Sequence, residues 1–203
     1  MAGGSARDAI PFVGLTGGIG TGKSEALLAL HRLGAATLSS DAVVHDLLSG
    51  DEIRDELVRR LGRGVAPEGP VERDAVAAIV FERPKDREWL EGYLWPRVGE
   101  QIARWRTELE QAEPRPRAAV VEVPLLFESG MDSVFDHTIA VVADEEVRAE
   151  RAGARGHAGL ASRESRQLTQ DEKAARADFT VRNDGTLEQL EQELSEVLRR
   201  IAA

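Results

Sequence analysis

Residues 14–30 read GLTGGIGTGKSEALLAL. Within them Gly17-Gly18-Ile19-Gly20-Thr21-Gly22-Lys23-Ser24 fits the phosphate-loop pattern G-x-x-x-x-G-K-[ST] at every fixed position. The flanks agree with the motif. The apolar run over residues 10–15 reads as a buried strand, and Ala26, Leu27, Leu30 and Leu33 fall on one face of a following helix. A polyphosphate needs several N–H donors at close range. Glycines let the backbone approach without a Cβ clash, and a helix N-terminus adds unpaired N–H groups and a partial positive charge. In that setting Lys23 reaches the β- and γ-phosphates and the Ser24 hydroxyl ligates Mg2+. The competing reading is a glycine-rich turn without a ligand, and the agreement of strand, loop and helix argues against it. The dinucleotide fingerprint G-x-G-x-x-G is excluded. Gly18 and Gly20 supply its first two glycines, but Lys23 takes the third place.

Outward from the loop, strands and helices alternate. A strand over residues 10–16 leads into the loop, and a helix runs to Leu33, ended by Gly34. A short strand covers residues 35–39. Ser39 or Ser40 then caps a helix that opens at Asp41. Residues 50–116 differ in character. They are rich in arginine and glutamate, with helical stretches at 51–61, 73–82 and 85–110 and a glycine- and proline-bearing loop at 62–70. The apolar run 118–126 reads as a central parallel strand covered on both faces. Further strands are expected at 138–143 and 179–182, with a charged helical stretch at 144–176 between them. Leu187, Leu190, Leu194, Val197, Leu198 and Ile201 form the apolar stripe of a terminal helix that packs on the core. Strands alternating with helices predict an α/β protein built on a doubly wound parallel sheet of about five strands. Its nucleotide-binding core takes in residues 10–49 and 117–203, with a lid at 150–172 and a helical insertion at 50–116.

Composition bounds the rest. A chain of 203 residues suits one α/β domain with an insertion, and a hydrophobic fraction of 42% supports a true core. A formal net charge of −10 argues against a nucleic-acid partner. Cysteine is absent, which excludes disulfides, thiolate metal sites and a cysteine nucleophile. The opening MAGGSARDAI lacks an apolar signal core, and no stretch reaches the roughly 20 apolar residues of a membrane span. These features predict a cytoplasmic protein without membrane partners, as a monomer or weak homo-oligomer. His31, His45, His137 and His157 are scattered and show no i,i+4 zinc pairing.

Three further constellations carry potential chemistry. Asp41 lies at the C-terminal end of the second strand, the edge where ligands bind in open parallel sheets. Its carboxylate suits a general base for an attacking hydroxyl, and equally a helix-start charge favouring the macrodipole. The run Val123-Pro124-Leu125-Leu126-Phe127-Glu128, with Glu122 before it, places a loop at the same edge. Glu122 there suits a carboxylate beyond a magnesium ion's direct ligands or a buried carboxylate bonded to the loop; Glu128 alone reads as a solvated charge. Last, Arg148, Arg151, Arg155, Arg163 and Arg166, punctuated by Gly153, Gly156 and Gly159, suit a mobile lid that brings guanidinium groups onto a transferring phosphoryl. An exposed charged helix has the same look.

Together these blocks resemble the dephospho-CoA kinase family over about residues 11–195. The blocks are residues 14–24; Ser40-Asp41-Ala42; Glu72-Arg73 followed by Ala78-Ile79-Val80-Phe81; Pro124-Leu125-Leu126-Phe127-Glu128; Arg166 with Gln170; and Lys173, Ala177-Asp178 and Asn183-Asp184-Gly185. The resemblance implies a P-loop NTPase fold and ATP-dependent phosphorylation of the ribose 3′-hydroxyl of dephospho-CoA, the last step of coenzyme A biosynthesis. It implies that Gly18, Ile19, Gly20, Thr21, Gly22, Lys23, Ser24, Glu25, Arg155 and Asn183 hold ATP, with Mg2+ on Ser24. It implies that Thr16, Asp41, Arg73, Pro124, Leu125 and Glu128 face dephospho-CoA, with Asp41 as base, Lys23 as the catalytic cation and residues 50–116 binding the CoA moiety. Two positions depart from the family pattern. Trp95-Pro96 stands where the family has His-Pro, and an indole N–H can only donate. Ser39 stands where the family often has a second aspartate. Another small-molecule P-loop kinase is the near alternative. A GTPase-like switch would need a guanine-reading N-K-x-D motif, and Asn183-Asp184-Gly185 lacks it.

Overall fold

The computed structural model describes residues 9–154 and 167–202, with the backbone alone for residues 152–154. Five strands form one sheet: β1 (Phe12–Gly17), β2 (Ala36–Ser39), β3 (Ala119–Glu122), β4 (His137–Val142) and β5 (Phe179–Arg182). Their order is β2-β3-β1-β4-β5, and every neighbouring pair is parallel. The helices in chain order are α1 (Lys23–Arg32), α2 (Ser40–Leu48), α3 (Asp51–Leu61), α4 (Arg73–Glu82), α5 (Pro84–Leu109), α6 (Glu145–Ala154), α7 (Gln170–Arg176) and α8 (Leu187–Ile201). The fold is a doubly wound P-loop NTPase fold, as the sequence predicts.

β1 shows why both faces are covered. Successive strand side chains point to opposite faces, and all six residues of β1 are buried. Val13 and Leu15 join Val120, Ile139, Val141 and Val181 in a core closed by α1 and α8. Leu30, Leu190, Leu194 and Leu198 complete it, each at most 1% exposed. Burial of such a side chain contributes about 1.5–3 kcal/mol. Phe12, Gly14 and Thr16 take the other face. The Phe12 ring lies 4.5 Å from that of Phe135, a Cβ on Gly14 would come within 2.9 Å of Phe135, and Thr16 meets Lys173 of α7. Gly34 ends α1 as expected. Its φ is 89°, its N–H bonds the His31 carbonyl at 3.0 Å, and the Ala35 N–H bonds the Leu30 carbonyl at 3.0 Å, the paired closure of a Schellman motif.

Two stretches show how the sequence pattern is divided in the fold. The run 118–126 forms a strand only over Ala119–Glu122. Pro124 has no N–H for a ladder, and the chain turns there, with the Ser129 N–H on the Leu125 carbonyl at 3.0 Å. Leu126 and Phe127 stay buried inside the turn. An apolar run reads alike in a strand and in a buried turn, so periodicity does not separate them. The stretch 144–176 is helical at both ends, in α6 and α7. Residues 167–169 are non-helical, and α7 starts afresh with a capping box on Thr169. The Thr169 hydroxyl accepts from the Glu172 N–H at 3.2 Å, and the Thr169 N–H donates to the Glu172 carboxylate at 2.8 Å. Of the lid expected at 150–172, residues 155–166 lie outside the described residues.

That box has a measurable consequence. The backbone N–H of Thr169, and then its hydroxyl, hold the Glu172 carboxyl below the ordinary glutamate range. Thr169→Ala is expected to cost about 1 kcal/mol. A carboxylate with a lowered folded pKa stabilises fully above its unfolded value, and that stabilisation is lost as the pH falls through the lowered one. Alanine keeps the Thr169 N–H, so thermal unfolding of the variant beside the parent should show a Tm gap that persists across the acid range and narrows only by the share of the hydroxyl bond to Glu172.

The chain divides into two compact units, residues 1–39 with 108–203, and residues Ser40–Thr107. The second is wholly helical apart from its connections, with its own core of Leu48, Ile53, Leu57, Leu61, Val65, Val76 and Leu94. Trp89 and Tyr93, one turn apart on α5, stack with centroids 5.4 Å apart. Arg60 lies over Trp89 at 5.5 Å and Arg97 over Tyr93 at 3.9 Å, so each ring has a cation within cation–π reach. α5 continues through Pro96. The carbonyl that loses its helical partner there belongs to Gly92, an exposed residue. No helix among the described residues is long and apolar enough to cross a membrane.

Candidate active site

β1 ends at Gly17 and α1 begins at Lys23, so the intervening loop runs straight into a helix N-terminus. Gly20 and Gly22 have φ of 78° and 87°, in the left-handed region that glycine enters without strain. Space is equally restrictive. A Cβ on Gly20 would meet the Arg148 carbonyl oxygen at 2.6 Å. The loop is braced from several sides. The Thr21 hydroxyl donates to the Gly18 carbonyl at 2.9 Å, and the buried Asn183 amide donates to the Thr21 carbonyl at 2.9 Å. Arg148 donates to the Ile19 carbonyl at 3.0 Å and pairs with Glu145 at 2.7 Å. Arg151 holds the Asn183 carbonyl at 2.9 Å. Such bracing fixes the loop amides in advance, so less entropy is lost when an anion binds.

Lys23 leads α1, and its ammonium donates to the Gly18 carbonyl at 2.8 Å, which lays the cation over the loop. Ser24 follows it and is exposed; Glu25 is half-buried in the same helical turn. Gly18, Ile19 and Arg148, with residues 167–171, line a cavity of about 310 Å³ beside the loop. An exposed serine hydroxyl is a hard oxygen donor of the kind Mg2+ takes. A glycine cradle that a Cβ would fill fits a chain of phosphates.

The end of β3 lies next door. Leu15 pairs with Glu122 in β3, and Glu122 pairs with Ser39 in β2, so the chain leaves all three strands at one edge of the sheet. β1 is flanked by β3 and β4, and this central position is where such sheets open a ligand crevice. Just beyond β3 a lysine organises the loop. Lys173 is fully buried. Its ammonium donates to the Pro124 carbonyl at 2.6 Å and to the Thr16 hydroxyl at 3.5 Å, and pairs with Glu128 at 3.0 Å. The Thr16 hydroxyl also reaches the Pro124 carbonyl at 3.3 Å, and the Leu168 N–H donates to Glu128 at 2.8 Å. Burial pushes the Lys173 ammonium below its ordinary value, and the Glu128 carboxylate opposes that shift. Glu128, which in isolation suits a solvated charge, is thus a largely covered carboxylate paired with a cation. Its Oε2 is buried without a hydrogen-bond partner among the described residues.

The residues expected at the site divide among three places. Residues 18–25 and Asn183 gather at the phosphate loop. Thr16, Pro124 and Glu128 meet on Lys173, while Leu125 is half-buried and its carbonyl is held by Ser129. Asp41 and Arg73 belong to the helical unit, both exposed, in the first turns of α2 and α4. Arg155 lies outside the described residues. The sequence reading missed Lys173 as an organiser and Arg148 and Arg151 as braces. The i,i+3 spacing of the two arginines was a signal, since it puts them on one helix face. Lys173 stands in the closing block of the family resemblance, and its alanine-rich neighbourhood, Lys173-Ala174-Ala175, hints at burial, but neither names the oxygens it meets.

Comparison with known proteins agrees with this geometry. The dephospho-CoA kinase family model matches residues 11–189. A dephospho-CoA kinase of Symbiobacterium thermophilum is 40% identical over 183 residues, covering 87% of this chain and 75% of that one. Another, from Protochlamydia amoebophila, is 35% identical and covers 93% of this chain and 95% of its own. Among solved structures, TT1252 from Thermus thermophilus superposes with a TM-score of 0.81 at 32% identity, covering 95% of this chain and 98% of that one. With a braced phosphate loop at the edge of this sheet and a family match over most of its length, this chain belongs to the dephospho-CoA kinase family.

Proposed function

We propose that the chain transfers the γ-phosphoryl group of ATP to the ribose 3′-hydroxyl of dephospho-CoA, giving CoA and ADP. The observation that carries this reading is the braced glycine loop with Lys23 over it, one strand away from the Pro124–Glu128 turn, in a chain of this family.

The acceptor oxygen attacks the γ-phosphorus. A new O–P bond forms, the bond to the bridging oxygen of ADP breaks, and the hydroxyl proton passes to Asp41. Such transfers need positioning and charge stabilisation more than covalent chemistry. The loop amides and Lys23 bind the phosphates, with Gly18, Ile19, Gly20, Thr21, Gly22 and Glu25 shaping that site. Lys23 also stabilises the charge that develops on the β/γ oxygens. When Mg2+ is bound, Ser24 holds it, and the ion neutralises phosphate charge. Asn183 braces the loop on the nucleotide side, and Arg155 contributes a cation from the segment after α6. Thr16, Pro124, Leu125 and Glu128 shape the acceptor side, and the helical unit, through Arg73, holds the anionic arm of the acceptor.

A coupled ADP-release assay with ATP and Mg2+ tests this, with dephospho-CoA, adenosine and AMP as competing acceptors and product mass read directly. The expected result is CoA formed at least about a hundredfold faster than either alternative product, since a site built around remote contacts spends them on the chemical step. Equal rates on adenosine or AMP, or ADP released without CoA, would overturn the assignment.

A further inference from the structure

We infer that Lys173 is a positioning residue for phosphoryl transfer. Through Glu128 and the Pro124 carbonyl it locks the turn after β3, the end of β1 and the backbone before α7 into one arrangement beside the phosphate loop. The inference rests on the assignment of that turn to the acceptor side.

A fully buried ammonium is costly. Taking a charge from water carries a penalty that a single carboxylate partner often does not recover, and a methionine of similar length would pack in its place. Fold stability alone therefore gives little reason for a lysine. Its partners give one. Thr16 is the residue before the phosphate loop's first glycine, Pro124 opens the turn after β3, and Glu128 closes it. Lys173 sits in α7, and Glu128 reaches back to the Leu168 N–H just before that helix. Two distant segments thus converge on one nitrogen of a third: the turn after β3 at 2.6 and 3.0 Å, and the end of β1 at 3.5 Å. A neutral side chain can fill the volume, but it satisfies none of the three acceptors and frees the turn to shift. The nucleotide side has separate braces, since Asn183, Arg148 and Thr21 hold the phosphate loop without Lys173. Loss of Lys173 should consequently separate the two halves of the site, leaving ATP bound and the acceptor misplaced.

Three readouts on Lys173→Met, with Glu128→Ala in parallel, test this. The first is acceptor turnover. Misplacement of an acceptor by about 1 Å costs up to about a hundredfold, so kcat should fall about ten- to a hundredfold. The second is ATP affinity by direct titration, expected within about twofold of the parent because the loop's own bonds are untouched. The third is amide exchange at Leu168, expected to speed up while the amides of residues 20–23 exchange as they do in the parent. A kcat that stays within twofold, or ATP affinity that falls in step with kcat, would overturn the inference, the latter marking Lys173 as merely structural. If the parent forms no CoA at all, the proposed function fails instead. The exchange readout still decides the tether, and an unchanged Leu168 rate in both variants would overturn it.

Discussion

Asp41→Asn is expected to lower CoA formation by about 10²- to 10⁴-fold, the range a positioned general base contributes, with ATP affinity unchanged. Asparagine keeps the size and helix-start position of Asp41 but has no basic oxygen for the acceptor proton. The chain leaves β2 at Ser39, whose register partner is Glu122, and Asp41 follows two residues later. Asp41 is exposed, in the first turn of α2, and a substitution there leaves no buried group unpaired. Helix-start carboxylates contribute only about 0.3–1 kcal/mol, so a large loss of turnover cannot be a stability effect. Steady-state kinetics with direct nucleotide titration checks this. Parent-like turnover would remove Asp41 from the reaction and leave it the role of a helix-start charge. Ser39 makes the test sharper, because no second aspartate stands two residues earlier to take the proton.

Lys23→Met is expected to cost about 10²- to 10³-fold in kcat, the effect of removing one preorganised charge donor from the developing negative charge. The ammonium already lies within the loop, 2.8 Å from the Gly18 carbonyl. Methionine matches its length and carries no donor, so backbone positions are preserved. The effect should fall on kcat as well as on KM for ATP, because the β/γ oxygens gain charge as the bond to ADP breaks. A rise in KM with kcat intact would mean that Lys23 binds ground state and transition state alike. Near-normal kinetics would sink the assignment of the loop as the catalytic site. The two variants differ in their signature: Asp41→Asn leaves nucleotide binding alone, and Lys23→Met does not.

Where the sequence reading succeeded and failed follows from the range of the forces involved. The loop glycines were legible because a left-handed φ and a close backbone approach are demands on single residues. Gly34 was legible because a helix end is closed within a few residues. The end of the strand after residue 118 was legible at Pro124, which has no N–H for a ladder, although Leu126 and Phe127 are as buried in the turn as they would be in a strand. Glu128 was left between a solvated charge and an acceptor-side residue, since an isolated carboxylate in sequence carries no trace of the cation that it meets in the fold.

By itself the sequence determined the phosphate loop, the strand–helix alternation and hence the parallel sheet, and the polar residues on its ligand edge, because each depends on a motif or a period closed within one element. The tertiary structure alone decided that Lys173 lies in the interior with Thr16, 157 residues away, and with Pro124, 49 residues away. It alone placed Arg148, 129 residues from Ile19, on the loop carbonyl. A lysine is soluble or buried according to which distant oxygens the sheet order brings to it, and that order is set by the packing of the whole core.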